Sequence, residues 1–158
     1  LGKGARMDLM GLALGVTFAG GAAGKFVCGH LAERWGIIRT VLVTETATGL
    51  GILLLLALPV TPALFLLPVL GVALNGTSSV LYGTVAELVA PERRSRGYGL
   101  FYTIGIGTGA LAPPLFGLLS DAAGVPVTLA FLAAVVLVTL PLAQLLRRTV
   151  EFPQTRRT

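Results

Sequence analysis

Charged side chains are scarce in this chain, at 12% of 158 residues. A soluble domain carries about a quarter, because a globule must cover itself with polar surface. With half that, a chain this short would have to bury nearly every helix on all sides, which it cannot arrange. A water-soluble domain is therefore excluded. The single cysteine, Cys28, rules out an internal disulfide framework and says little about redox compartment. Cys28 and the single histidine, His30, make no metal-ligand cluster. No nucleophile, base and orienting group come together in a recognisable set, so neither an enzyme nor a cofactor is expected. Alternation at period two is missing, which excludes a β-barrel. No charged n-region with a cleavage site precedes the first apolar run, so no signal peptide is read. The chain opens at Leu1 and not Met, and a fragment of a longer protein is expected.

What the chain does contain is hydrocarbon in blocks. Hydrophobic residues make up 54% and the mean hydropathy is +0.87. The apolar runs match the roughly 20 residues that a helix needs to cross a ~30 Å hydrocarbon core. Five spans are predicted, at about 9–30, 38–59, 63–88, 97–119 and 125–146. Between them lie two Pro/Gly-marked turns, Val60-Thr61-Pro62 and Asp121 to Pro126, and two charged ones, Glu33 to Gly36 and Pro91 to Gly97. Without water to satisfy the backbone, the spans must be helical. The fold class is thus all-α, a polytopic membrane bundle.

The basic residues give its orientation. Arg34 and Arg39 follow the first span, Arg93, Arg94 and Arg96 the third, and Arg147, Arg148, Arg156 and Arg157 the fifth. The other two turns carry no Lys or Arg, and the N-terminal flank only Lys3 and Arg6. Nine against two makes the first group cytoplasmic by the positive-inside rule. An outside N-terminus and a cytoplasmic C-terminal tail, 147–158, follow, in a cell (inner) membrane. This distribution accounts for the net charge of +5 without a nucleic-acid partner; the partners expected are the lipid bilayer and a small-molecule substrate.

Three short motifs are decoys. Ala19 to Lys25 (AGGAAGK) is close to a phosphate-binding loop, but Phe26 occupies the hydroxyl position and no strand precedes it. Gly105 to Ala110 (GIGTGA) fits a dinucleotide fingerprint inside an apolar span, again without a strand. Helix-packing glycines explain both. Asn75-Gly76-Thr77 is a glycosylation sequon placed mid-span, beyond the reach of modification.

The most informative stretch is Gly29-His30-Leu31-Ala32-Glu33-Arg34-Trp35-Gly36-Ile37-Ile38-Arg39. It resembles the major facilitator signature G-x-L-A-[DE]-R-x-G with following basic residues, which joins the second and third helices of each six-helix half. Gly29 would let the helix end approach a neighbour. Glu33 would set a carboxylate at the N-terminus of an adjacent helix, Arg34 and Arg39 would pair with acids or lipid phosphates, and Gly36 would permit a tight reversal. Two isoleucines replace the usual basic pair after Gly36, and Arg39 stands in for it. Glu87 to Gly99 (ELVAPERRSRGYG) is similar to the loop entering the fifth helix of such a half. Together the two imply the eighth to twelfth helices of a twelve-helix transporter, with the seventh helix and the N-terminal half missing. The resemblance implies a secondary carrier moving a small organic solute or drug between two halves by alternating access, coupled to an ion gradient. The other class left open is a non-transporting membrane subunit or scaffold.

Candidate residues follow from charge and polarity inside the spans. Gly21, Lys25, Gly29 and Glu33 share a helix face at i+4 spacing. Lys25 is either a coupling residue or a cation that snorkels to the interface. Glu45 is a coupling candidate in the same way, or pairs with Arg39 or with a cation on another helix. Glu87 either braces Arg94 and Arg96 or carries a proton. The third span is the most polar in its middle, and Asn75, Ser79 and Tyr82 stand at i, i+4 and i+7. They are substrate-cavity candidates through the resemblance, since that helix lines the cavity there; interhelical hydrogen bonding is the competing role. Tyr102 and Thr17 join them from neighbouring spans. The fourth span, with Gly105, Gly107, Gly109, Pro113 and Pro114, is expected to pack tightly and bend. Glu33 and its partners are expected to latch the cytoplasmic side in the outward-facing state.

Overall fold

The computed structural model describes the backbone of residues 7–151 and the side chains of 9–145 apart from Glu87. Lys3, Arg6, Arg156 and Arg157 lie outside the described residues, as do the side chains of Arg147 and Arg148. Five α-helices follow one another: α1 (Met7–Trp35), α2 (Ile37–Ala57), α3 (Val60–Leu88), α4 (Arg94–Ala123) and α5 (Val125–Glu151), with a 3₁₀ turn at Pro91–Arg93 before α4. No strand occurs among the described residues. All five helices are long and apolar enough to cross a membrane. The shortest, α2, has 21 residues and so spans about 32 Å at 1.5 Å per residue.

The connections are shorter than the charged and Pro-rich sequences suggest. Glu33, Arg34 and Trp35 are the last turn of α1, and only Gly36 separates it from α2. Charges at the end of a span need only reach the interface; they do not have to unwind the helix. Val60, Thr61 and Pro62 are the first turn of α3, where a proline lacks no bond it could have made, and the reversal falls at Leu58 and Pro59. Asp121 to Pro126 is helical except at Gly124.

Both single-residue breaks are glycines at positive φ. Gly36 has φ 85° and ψ 158°, and Gly124 φ 86° and ψ 158°. Only glycine enters that region without strain. Around Gly36 the reversal is closed by its N–H on the Ala32 carbonyl at 2.9 Å and by the Thr40 hydroxyl on the Gly36 carbonyl at 2.9 Å. A Cβ there would meet nothing within 4 Å, so the cost of a side chain is conformational alone. Gly36→Ala is expected to destabilise the fold by about 1–3 kcal/mol, read as an earlier unfolding midpoint in mixed micelles of increasing SDS. An unshifted midpoint would mean that the reversal can adopt another backbone.

Packing puts α1 against α3 most extensively, then α2 against α5 and α3. α1 and α3 run parallel, because Gly20, Gly24 and Cys28 meet Pro68, Val72 and Gly76 in that order. α2 is antiparallel to α3, with Ile37 near Gly83, Thr44 near Thr77 and Gly51 near Leu70. Lipid gives no hydrophobic drive to helix association, so contact relies on close approach and on polar pairs. The α1–α3 seam uses the first device and the α2–α3 seam the second. Thr40, Thr44 and Thr48 form a buried column at i+4 spacing on α2, and Thr77 of α3 donates to Thr44 Oγ1 at 2.7 Å.

α4 stands apart. None of its residues is buried, and a Cβ on Gly105, Gly107 or Gly109 would meet nothing within 4 Å. The tight packing expected of these glycines is not found among the described residues: none of the three has a neighbouring atom where a Cβ would stand. α4 is also a continuous helix through Pro113 and Pro114.

Candidate functional site

Asn75, Ser79 and Tyr82 lie on α3, all three half-buried. Asn75 borders α1: a Cβ on Gly21 would come within 2.7 Å of the Asn75 Cγ. Its Nδ2 donates to the Gly71 carbonyl of its own helix at 3.3 Å, while Ser78 donates to the Asn75 main-chain carbonyl at 2.8 Å. Such back-bonding is how hydroxyls and amides are satisfied within a span. Ser79 reaches the same carbonyl only at 3.5 Å, the outer limit of a hydrogen bond. Among Asn75, Thr77, Ser78 and Ser79 it is the least engaged.

Tyr82 links α3 to α4. Its ring stacks on Tyr102 with centroids 4.5 Å apart and planes 18° apart, and meets Phe101 edge-on at 5.2 Å and 69°. Offset stacking and edge contacts are the favoured geometries of aromatic quadrupoles. From Phe101 a shallow groove of about 450 Å³ continues along α4 past Ile104, Gly105, Thr108 and Gly109. Gly105 and Gly109, two of the glycines expected to pack against a neighbour, instead line this groove. A separate cavity of about 250 Å³ lies at the other end of the bundle, among Leu9, Ala13, Leu58, Leu64 and Leu129. That cavity is walled by hydrocarbon and has no side chain that could orient a polar solute.

The remaining candidates fall into three places. Thr17 is on the α1–α3 seam, its hydroxyl bound to the Ala13 carbonyl at 2.7 Å and its own carbonyl against Gly71. Gly71 is eleven residues from Tyr82, about 16 Å along the helix, so Thr17 does not join the aromatic pair. Lys25 is exposed on α1. One turn beyond Gly21 on that face, it reaches the depth of Ser79 by the register that pairs Gly21 with Asn75. Gly29 has open space where a Cβ would be, so it makes no close helix contact; Gly20, Gly24, Gly71 and Gly76 do.

At the cytoplasmic end by the positive-inside assignment, Glu33, Arg34 and Arg39 are exposed. Among the described residues the titratable neighbour of Glu33 is His30, with Nδ1 3.9 Å from Oε2. The side chain of Glu87, expected to brace Arg94, lies outside those described, and the described bonds of the Arg94 guanidinium go to main chain. Its Nη2 donates to the Ala86 carbonyl at 2.8 Å and its Nε to the Val89 carbonyl at 3.2 Å. The guanidinium thus caps the C-terminus of α3, where carbonyls lack partners and the helix dipole is negative. Glu45 meets neither Arg39 nor any other described cation; its Oε2 accepts from Thr139 Oγ1 of α5 at 3.1 Å.

The threonine column of α2 is not among the candidates above, although Thr40, Thr44 and Thr48 at i+4 spacing are a legible signal of one buried polar face. Thr48 ends it with a buried hydroxyl that has no partner among the described residues. Thr139, 94 positions from Glu45, carried no comparable signal.

Five apolar helices, single-glycine reversals and arginines at one end describe a class of membrane bundle; a family model decides which. The model of the Major Facilitator Superfamily matches residues 3–158. The chain belongs to the major facilitator superfamily. It is therefore an integral membrane protein of a transporter family, with lipid as its surroundings. No curated protein and no solved structure matches the chain. Within this superfamily chain the G-x-L-A-[DE]-R-x-G stretch is the end of α1 and the start of α2, joined at the positive-φ Gly36.

Proposed function

We propose that the protein is a secondary carrier that moves a small organic solute across the membrane by alternating access, driven by an ion gradient. The solute lies against α3 at Asn75, Ser79 and Tyr82, with Tyr102 of α4 completing the aromatic side. The observation that carries this reading is the Tyr82–Tyr102 stack at 4.5 Å, one turn from the loosely held Ser79 hydroxyl. A flat ring surface beside free hydrogen-bonding capacity suits a small, partly apolar solute with one or two polar groups. Lys25, exposed at the depth of Ser79, is the cation that would respond to solute or coupling ion. The five helices are taken as the eighth to twelfth of twelve, the basic end as cytoplasmic in a cell membrane, and a second six-helix half of the same protein as the facing wall.

Glu33, exposed beside Arg34 at the end of α1, is assigned to a latch that holds the cytoplasmic side shut. Glu33→Ala in the complete gene product is expected to slow transport in proteoliposomes and to leave solute binding largely intact. An unchanged rate removes the latch.

The scaffold alternative has an observation on its side, since Thr17, Asn75, Thr77 and Ser78 all spend hydrogen bonds within or between helices. The deciding experiment is flux of labelled organic solutes into proteoliposomes of the complete gene product under imposed proton and sodium gradients. A carrier gives gradient-accelerated flux of at least one solute class; a scaffold gives the flux of empty vesicles.

A further inference from the structure

Glu45 is the one acidic side chain among those described that lies well inside a span, eight residues from Ile37 and twelve from Ala57. At 1.5 Å per residue this is about 12 Å from the nearer helix end. An isolated carboxylate at such a depth is costly unless it is paired or neutralised. No cation pairs with it among the described residues. The described part of α5 holds no ionisable side chain at all. On α3 the ionisable groups are Tyr82, engaged with Tyr102 and Phe101, and Glu87. Among the described side chains of α1 they are Lys25, Cys28, His30, Glu33 and Arg34, of which all but the buried Cys28 are exposed. On α2 itself Arg39 is exposed, six residues nearer the end.

Glu45 has a hydroxyl beside it instead. Thr139 Oγ1 is 3.1 Å from Glu45 Oε2 and 2.5 Å from the carbonyl oxygen of Val136 in its own helix. A hydroxyl has one hydrogen to give and lone pairs to receive with. Beside an ionised Glu45, Thr139 donates to the carboxylate. Beside a protonated Glu45, the acid O–H donates to Thr139 Oγ1, and the threonine hydrogen turns to the Val136 carbonyl. In each state the Thr139 hydrogen has an acceptor and the Glu45 carboxyl keeps Thr139 Oγ1 as its partner, and the exchange needs only rotation of one hydroxyl. From this geometry we propose that Glu45 and Thr139 form a reversible proton-binding site in the α2–α5 contact.

The site stands apart from the solute face. Glu45 meets α5, while Asn75 borders α1, so proton binding here does not depend on the carrier reading. Nor does it require α2 and α5 to separate. The neighbouring Gly49, against Leu137 of α5, keeps the two backbones close whichever state the carboxyl holds.

Infrared difference spectroscopy of the complete protein in lipid, acid against alkaline, tests the proposal. A protonated-carboxyl C=O band is expected on acidification and is lost in Glu45→Gln. In Thr139→Val the band moves to higher wavenumber because the acid has lost its acceptor, and in Thr139→Ser it returns. A difference spectrum that Glu45→Gln leaves intact, or a band that Thr139→Val leaves in place, overturns it. Should the variants fail to fold, a hydrophobic carbodiimide, which adds intact to protonated carboxyls from the lipid phase, serves on the unsubstituted protein. The peptide carrying Glu45 is expected to gain the adduct more at acid than at alkaline pH, and no adduct at any pH overturns the site.

Discussion

Gly71→Ala is expected to be among the most damaging single-methyl additions in this bundle, and Gly20→Ala and Gly24→Ala are expected to match it. Each would drive a Cβ into main chain, where no side-chain rotation relieves the overlap. At Gly71 the new atom would lie 3.0 Å from the Gly21 nitrogen and the Thr17 carbonyl carbon; at Gly20, 2.8 Å from the Pro68 Cα; at Gly24, 2.7 Å from the Val72 Cα. α1 and α3 must then move apart along a seam where van der Waals contact is the chief attraction. Overpacking of this kind costs about 1–3 kcal/mol and at times more. Two internal controls set the scale. Gly49 and Gly51 meet the tips of the Leu137 and Leu70 side chains, which can swing, so alanine there should cost less. Gly105, Gly107 and Gly109 meet nothing, and alanine should leave stability unchanged or raise it by up to about 1 kcal/mol through helix propensity. SDS unfolding midpoints of the alanine series measure this order. Equal midpoints for Gly71→Ala and Gly107→Ala would remove the seam as the principal contact.

That series also marks how far sequence reading reached. The five spans were legible because each is an apolar block closed by glycine, proline or charge, and lipid leaves a backbone only the helix. Their ends were less so. A helix leaving hydrocarbon continues through Glu33 and Arg34 until the backbone itself breaks at Gly36, and Pro62 enters a first turn without interrupting it. Which glycines make contact was illegible, because neighbouring positions differ by about 100° around a helix. The i+4 set of Gly21, Lys25, Gly29 and Glu33 was the visible one, yet the seam runs through Thr17, Gly20, Gly24 and Cys28. Gly21 belongs at its edge, so Lys25 emerges exposed and Gly29 touches nothing. The α3 polar face was found from its i, i+4, i+7 spacing. Its aromatic partner needed the fold, since Tyr102 reaches Tyr82 only through the hairpin between α3 and α4.

Partner choice at Glu45 shows the same limit from the electrostatic side. Sequence puts Arg39 six positions away and suggests an ion pair, but six residues is not a helix neighbour distance, whereas three and four are. The arginine instead stays in the exposed turn after Gly36, and the carboxylate turns to α5. Consecutive residues of α2 thus serve different neighbours: the Thr44 hydroxyl ties it to α3 and the Glu45 carboxylate to α5. α2 is held on both sides by polar contacts, while the open flank of the bundle is left to α3 and α4.

On that open flank, Tyr82→Ala is expected to weaken solute binding by about tenfold to a hundredfold, at roughly 1.4 kcal/mol per factor of ten. The substitution removes the ring that Tyr102 stacks on and Phe101 abuts, an arrangement of about 0.5–1.5 kcal/mol beyond its buried area. It also removes the flat surface offered to the solute. Tyr82→Phe keeps the ring and loses only the hydroxyl, so it should cost about one hydrogen bond, near 1 kcal/mol, and leave the stack intact. Thr17→Val and Phe26→Ala serve as references. The Thr17 hydroxyl is already satisfied by Ala13, and Phe26 is 82% exposed on α1; neither should alter affinity. Equilibrium binding of labelled solute to the complete protein, with unfolding midpoints measured alongside, separates the two roles the α3 face could have. A carrier loses affinity at Tyr82 while its midpoint moves little. A face that only joins α3 to α4 loses stability at Tyr82→Ala and shows no affinity to lose.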